Sequence, residues 1–121
     1  MSKIINVRIE DVSIQMGVHA CLTFWITLKS EFWTTRFGGV CIGYGFLGSG
    51  VFEAENGSGL VAMMQIMDTV GVERWEDLKG KYVRVVDEGL GSTIKQIGNI
   101  IEDKWFNIVE FFEEYNEDSK T

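Results

Sequence analysis

The first half of the chain alternates apolar and polar residues with a period of two, which predicts β-strands. In the first strand Ile5, Val7 and Ile9 fall on one side. The alternation shifts by one residue near Glu10, and this shift predicts a bulge that brings the later apolar residues into line. The second strand is rich in β-branched and aromatic residues, and the third contains glycines that let another backbone come close. The predicted strands cover residues 4–16, 20–29 and 37–46.

The apolar spacing changes to a helical period after the glycine-rich middle of the chain. A helix is predicted over residues 58–70, with Ser58 as its N-cap and Gly71 as its end. Its predicted apolar stripe consists of Leu60, Met63, Met64, Met67 and Val70. The methionines of this stripe are expected in the core or at a subunit interface.

The second half predicts two more strands and a final helix. A short helical turn at 75–79 precedes the strands, and a glycine-rich hairpin turn joins them. Asn107 is a suitable cap for the helix. The strands are predicted at 81–87 and 93–101 and the helix at 108–115. The order β-β-β-α-β-β-α predicts an α+β fold, in which helices pack against an antiparallel sheet of about five strands.

Length and charge limit the classes of partner. The 121 residues predict one domain, residues 1–121, with an acidic C-terminal tail from about residue 113. A net charge of −7 argues against binding long nucleic acids, which are bound mainly by neutralising phosphates. The chain has no apolar segment long enough to span a bilayer, and its first residues show neither the apolar core nor the cleavage site that a signal peptide is expected to have. We therefore expect a cytoplasmic protein that does not bind membranes.

The residue types that carry most enzyme chemistry are sparse. His19 is the only histidine, and Cys21 and Cys41 are expected to be reduced, buried thiols, since they form neither a zinc motif nor a disulfide framework. The sequence therefore predicts no catalytic residue, no metal site and no cofactor. Four tryptophans are more than a core of this size buries easily, which favours a ligand pocket or an interface for at least one.

Four segments resemble a family of small proteins from tailed phages and prophages. The matching segments are residues 18–28, 37–39, 70–85 and 97–106. The most specific marks are Trp75-Glu76-Asp77-Leu78-Lys79-Gly80-Lys81 and Ile97-Gly98-Asn99-Ile100-Ile101-Glu102-Asp103-Lys104-Trp105-Phe106. The chain resembles the Thoeris anti-defence sponges, phage proteins that capture the glycocyclic ADP-ribose signal of bacterial TIR-domain enzymes. Some members also hold cyclic oligonucleotides of CBASS defence.

The resemblance implies a symmetric homo-oligomer that binds an intact nucleotide signal in the infected host and does not cleave it. It implies ligand contacts in the loop before the fifth strand and on that strand, where Leu90 and Asn99 are the matching positions. Cations would pair with the phosphates, and an aromatic ring would pack on the base. The predicted ligand-binding residues are Arg36, Tyr82, Arg84, Leu90, Lys95, Asn99, Lys104, Trp105 and Phe106.

The sequence departs from the family pattern at the expected site. Leu90 stands where an aromatic residue is usual, and the C-terminal segment carries Glu113, Glu114 and Glu117 where arginines are expected. Two alternatives therefore stay open. One is an acidic protein that inhibits a host defence complex, as anti-CRISPR proteins do, and the other is an enzyme that acts on a nucleotide signal.

Overall fold

The computed structural model describes residues 3–17, 21–46, 51–54, 57–89 and 93–119. Its strands are β1 (Lys3–Met16), β2 (Cys21–Lys29), β3 (Thr34–Phe46), β4 (Val51–Ala54), β5 (Tyr82–Asp87), β6 (Gln96–Gly98) and β7 (Trp105–Asn107). Its helices are α1 (Ser58–Val70) and α2 (Ile108–Ser119), together with a 3-10 helix at Trp75–Leu78.

The strands form one antiparallel sheet in the order β4-β3-β2-β1-β5-β6-β7. Helices pack against this sheet, so the predicted α+β fold is confirmed. The central strand β1 pairs with β2 on one side and with β5 on the other.

A register shift between Ile9 and Asp11 interrupts the pairing of β1 with β2, which confirms the predicted bulge. Before the bulge the odd-numbered residues Val7 and Ile9 are buried, and after it Val12 packs against the same core. The extra residue thus keeps the apolar side of a long strand on one face of the sheet.

The core lies between one face of the sheet and the helices. Phe24, Ile26 and Leu28 of β2 are fully buried there, as the alternation of that strand predicts. The 3-10 helix contributes Leu78, which is fully buried, and Trp75, whose ring packs edge-on against Phe24 at 5.5 Å between centroids. The rest of the buried set, from the other strands, α1 and the segment before β6, is Val7, Ile9, Phe37, Ile42, Ala62, Met63, Ile66, Val83, Val85, Ile94, Ile97 and Phe106.

Helix α1 has the predicted bounds, but it presents a different side to the sheet. Leu60 and Met64 are 48% and 67% exposed, so the predicted apolar stripe is wrong at these two positions. The buried side is formed by Gly59, Ala62, Met63, Ile66 and Thr69. Small residues face the sheet because the helix approaches β3 closely, and a Cβ at Gly59 would lie 2.7 Å from the Cys41 carbonyl oxygen.

The N-cap prediction for α1 is also wrong, because Gly57 in the left-handed region precedes the helix and Ser58 is its first residue. The predicted end is confirmed, since Gly71 is left-handed and its N–H donates to the Met67 carbonyl oxygen. At α2 the predicted cap is confirmed as well. The Asn107 side chain accepts hydrogen bonds from the N–H groups of Val109 and Glu110.

The predicted fifth strand over 93–101 is wrong in extent, because its pairing is confined to β6. Asn99 ends the strand by accepting hydrogen bonds from the N–H groups of Ile101 and Glu102. This side-chain turn competes with the ladder and reverses the chain into β7. The sequence pattern predicted neither β7 nor β4.

The expectation of two reduced thiols is wrong, because a disulfide joins Cys21 to Cys41. The β2–β3 register places Thr23 opposite Cys41, and the Cα atoms of the two cysteines are 5.9 Å apart. Strand pairing therefore brings together two cysteines that are 20 residues apart in sequence.

Replacing Gly59 with alanine tests the close approach of α1 to β3. In an open helix this change stabilises by up to about 1 kcal/mol. Here the new Cβ would meet a backbone oxygen, so we expect a loss of about 1–3 kcal/mol in the free energy of unfolding, measured by urea denaturation. Gln65→Ala, on an exposed position of the same helix, is the control, and a stabilised Gly59→Ala variant would contradict this packing.

Candidate functional site: the open face of the sheet

The two faces of the sheet differ in what covers them. Core residues such as Phe24 and Val83 point toward the helices, and their neighbours along each strand point to the opposite face. No helix of the described residues packs on that opposite face, where Arg8, Lys29 and Tyr82 are exposed. We call this surface of β1, β2, β3, β5, β6 and β7 the open face.

A tryptophan on the open face is held between a glycine and an arginine. The ring of Trp25 lies so close to Gly39 of β3 that a Cβ there would come within 2.5 Å of it. On the same ring the guanidinium carbon of Arg36 sits 3.9 Å from the centroid. The cation–π contact holds the guanidinium group against a flat aromatic surface, while Arg36 as a whole remains exposed.

The same arrangement recurs on the open face near the opposite edge of the sheet. The ring of Trp105 lies over Gly98, where a Cβ would come within 2.7 Å of it, and the Arg84 guanidinium carbon is 4.8 Å from the ring centroid. Direct pairing of Gly98 with both Arg84 and Trp105 places the three residues in one row across β5, β6 and β7.

The two arginines nevertheless differ in their hydrogen bonding. Arg84 donates from Nε to the Asn99 carbonyl oxygen at 2.6 Å and from Nη2 to the Glu102 carbonyl oxygen at 3.0 Å. Arg36 is exposed and makes neither a hydrogen bond nor an ion pair within the described residues. Arg84 therefore supports the β6–β7 turn, whereas the donors of Arg36 are available to a ligand.

Two further cations lie beside Arg36 on the open face. Arg36 is opposite Thr27, and Lys29, two residues further along β2, is opposite Arg8 of β1. Diagonal neighbours of this kind are about 7–8 Å apart and direct partners about 5 Å apart. Arg36, Lys29 and Arg8 therefore form a row across three adjacent strands, which we call the cation row.

The hydroxyl groups of Thr27 and Thr34 border the cation row, because Thr34 pairs with Lys29. The acids near it are Glu10 and Asp11, whose carboxylates lie 3.7 Å from Arg8 and 3.9 Å from Lys79. Lys29 has no ion pair within the described residues. Cations, hydroxyl groups and an aromatic ring together form a surface that suits a phosphate-bearing ligand with a planar group.

Asn99 has a structural role in the fold. Its amide nitrogen donates to the carbonyl oxygens of Thr69 and Val70 at 3.0 and 3.3 Å, which ties the end of α1 to the sheet. Its Oδ1 accepts two further hydrogen bonds, from Ile101 and Glu102. The hydrogen-bonding capacity of the Asn99 side chain is therefore nearly exhausted within the protein. A ligand at Asn99 would have to compete with these bonds.

The remaining predicted site residues do not converge on one place. Phe106 is 3% exposed in the core, where it packs against Phe37 and Phe111. Lys104 pairs with Glu102 at 3.4 Å, and Lys95 is exposed near the start of α2. Tyr82 is exposed on the open face beside Arg8 and Arg84, while Leu90 lies outside the described residues.

The concave surfaces of the described residues carry more acids than bases. A groove of about 310 Å³ between α1, α2 and β7 is rimmed by Glu110 and Glu114 and has no cation in its lining. A second groove of about 290 Å³ holds Glu88 and Glu110 against Lys95. Carboxylates repel phosphates, so the open face is the better surface for an anionic ligand.

Within the described residues no group of three or more histidine, cysteine, aspartate or glutamate side chains is arranged to hold a metal ion. Over the same residues, no helix combines the length and hydropathy needed to cross a bilayer.

No family model matches the chain, and neither a curated protein nor a solved structure is significantly similar to it. The resemblance to phage anti-defence proteins therefore stays a prediction from the sequence.

Sequence reasoning selected Arg36 but missed Trp25, Lys29 and Arg8 as its neighbours. The alternation of β2 carried a usable signal, since it places Trp25 with Thr23 and Thr27 on one side of the strand. What the pattern could not supply is the register of β1 and β3, which brings the other two cations beside that side.

Replacing Asn99 with alanine should lower the free energy of unfolding by about 2 kcal/mol, because two half-buried carbonyl groups and two turn N–H groups lose their partners. Urea denaturation measures the effect, with Asn6→Ala on an exposed position of β1 as the control. A variant as stable as the control would show that these hydrogen bonds do not support the fold and would return Asn99 to the role of a ligand contact.

Proposed function

We propose that this protein is a non-enzymatic immune-evasion protein that sequesters a small nucleotide signal of bacterial anti-phage defence. The ligand class is a glycocyclic ADP-ribose or a cyclic oligonucleotide, as the resemblance of the sequence implies. The open face around Arg36 and Trp25 binds it, and the intact molecule is held without being cleaved. The protein would act in the cytoplasm of the infected host.

The observation that carries this proposal is the environment of the Arg36 side chain. Its guanidinium group lies over the ring of Trp25 and has no hydrogen-bond or ion-pair partner within the described residues. An arginine fixed in this way loses little conformational entropy when it binds a phosphate. Lys29 and Arg8, in the same row, supply charge for further phosphate oxygens.

Planarity and charge together favour a nucleotide over a simple anion. Arg36 is exposed beside the ring of Trp25, and its planar guanidinium group offers a surface on which a base can stack. Thr27 and Thr34 provide hydroxyl groups for sugar or phosphate oxygens beside them. This position differs from the one that the resemblance implies, because Asn99 and Phe106 are engaged in the fold.

Sequestration is stoichiometric, so the ligand must be bound at about nanomolar concentration, which corresponds to about −12 kcal/mol. A flat sheet face encloses little of a small ligand, and tight sites are usually concave. A second chain that contacts the open face beside the cation row, and leaves the cations free, would enclose the ligand. For this reason a homo-oligomer remains part of the proposal.

Helix α2 favours a second candidate function, the acidic inhibitor of a host complex. Its exposed side carries Glu110, Glu113 and Glu114, and no basic residue lies in its last turn. A row of carboxylates can occupy a basic groove that normally binds nucleic acid. Such an inhibitor would co-purify with a macromolecular partner, whereas a sponge would release a small molecule on heating.

Calorimetric titration with glycocyclic ADP-ribose isomers and cyclic di- and trinucleotides tests the first proposal. We expect tight binding by the wild type, recovery of the intact ligand after heating, and at least a tenfold loss of affinity in Arg36→Ala, since a charge-assisted contact contributes about 1.5–3 kcal/mol. Arg74→Ala removes an exposed arginine that lies outside the open face, and its affinity should match the wild type.

Three results would contradict the proposal in different ways. Absence of binding across the panel would remove the sponge function. Equal binding by Arg36→Ala would move the site away from the open face. Recovery of a chemically altered ligand would identify an enzyme.

A further inference from the structure

The acidic side of α2 and the cation row of the open face are complementary in charge. Glu110, Glu113 and Glu114 are exposed at spacings of three and four residues, so they lie on one side of the helix. Arg36, Lys29 and Arg8 lie on three adjacent strands. We propose that the open face of one copy docks α2 of a second copy, with the carboxylates of the helix against the cation row.

The dimensions of the two surfaces agree. Adjacent strands are about 4.8 Å apart, so the cation row spans about 10 Å. A helix of 12 residues is about 18 Å long and can lie across all three strands. The sequence continues the acidic spacing with Glu117 and Asp118.

This contact must form between copies. Helix α2 packs against α1 and β7, and its Phe111 and Phe112 rest on the core side of the sheet. The sheet therefore separates α2 from the open face of its own chain. A contact between two different surfaces is heterologous, so assembly continues from copy to copy until a ring closes or a filament forms.

A face-to-face pairing of two open faces is less favourable, because it would bring two cation rows together. The overall charge of −7 also opposes association, but it acts over the whole molecule. At 0.1 M salt the screening length is about 10 Å, so close pairs of opposite charge outweigh the distant repulsion. Docking of α2 leaves the apolar core undisturbed and uses only exposed side chains.

This inference is independent of the proposed function, since the contact needs no nucleotide. Phosphates and the carboxylates of α2 would compete for the same cations. If both occur, the nucleotide releases one copy from the next. Self-association without ligand and ligand binding without self-association are each measurable on their own.

Sedimentation velocity of the full chain at micromolar concentration, in 0.1 M and 1 M NaCl, tests the proposal. We expect an oligomer in the first buffer and at least a tenfold weaker association in the second, where the screening length is about 3 Å. A protein that is monomeric in both buffers would overturn the proposal and leave α2 available to a basic partner of another kind. Association that is insensitive to salt would also overturn it.

Charge reversal identifies the two surfaces. Lys29→Glu/Arg36→Glu and, separately, Glu110→Lys/Glu113→Lys/Glu114→Lys should each abolish association. An equimolar mixture of these two variants should associate, because each restores the complement of the other. The control Arg74→Glu/Lys81→Glu makes the same charge change as the first variant but lies outside the cation row, and it should associate as the wild type does.

Urea denaturation of each variant checks that it is folded before its sedimentation behaviour is interpreted. Failure of the mixture to associate, with both variants folded, would overturn the docking of α2 on the cation row. Association of the Lys29→Glu/Arg36→Glu variant alone would do the same.

Discussion

The bulge between Ile9 and Asp11 decides what each face of the sheet can do. Side chains alternate between the two faces, so a strand of 14 residues can keep a single apolar side only if its apolar pattern and its geometry stay in phase. In β1 the apolar residues from Ile5 to Ile9 are odd-numbered, and those after the bulge are even-numbered. Without the extra residue, Val12 and Ile14 would point to the open face, and Asp11 and Ser13 would enter the core.

Paired residues of adjacent strands point to the same face of a sheet. Because β1 pairs with both β2 and β5, its division into an apolar face and a polar face also holds for these two strands. All the buried residues of β2 and β5 lie on the helix side, and all the cations of the cation row lie on the other. The chemistry of the open face is thus a consequence of where the core is. The polar side of three strands becomes a continuous surface because one extra residue keeps the apolar side chains of the central strand on a single face.

Several features were predictable from sequence because they depend on local pattern. The alternation of β1 and β2, the helical period of α1, the end of α1 at Gly71 and the Asn107 cap each involve residues that are close in the chain. The exposed side of α1 was not predictable from its apolar residues. The limiting factor there is the space next to Cys41, which favours Gly59 and Ala62 over the larger Leu60 and Met64.

The candidate site, in contrast, depends on residues that are far apart in the chain. Arg36, Lys29 and Arg8 come from three separate strands, and only the pairing register makes them neighbours. The disulfide between Cys21 and Cys41 was missed for the same reason. Conversely, Asn99 and Phe106 were selected by their place in a motif, yet their chemistry is used by the fold, with hydrogen bonds in one case and core packing in the other.

The stacking of Arg36 on Trp25 also gives the protein an optical reporter. Indole fluorescence responds to a nearby charge, and the guanidinium group of Arg36 lies 3.9 Å from the ring centroid. Any molecule that draws the guanidinium group away would alter the emission of Trp25, whereas Trp75 contacts the core from the opposite side of the sheet and would supply a constant background. Displacement of Arg36 from Trp25 can therefore be followed in the unlabelled protein through its fluorescence.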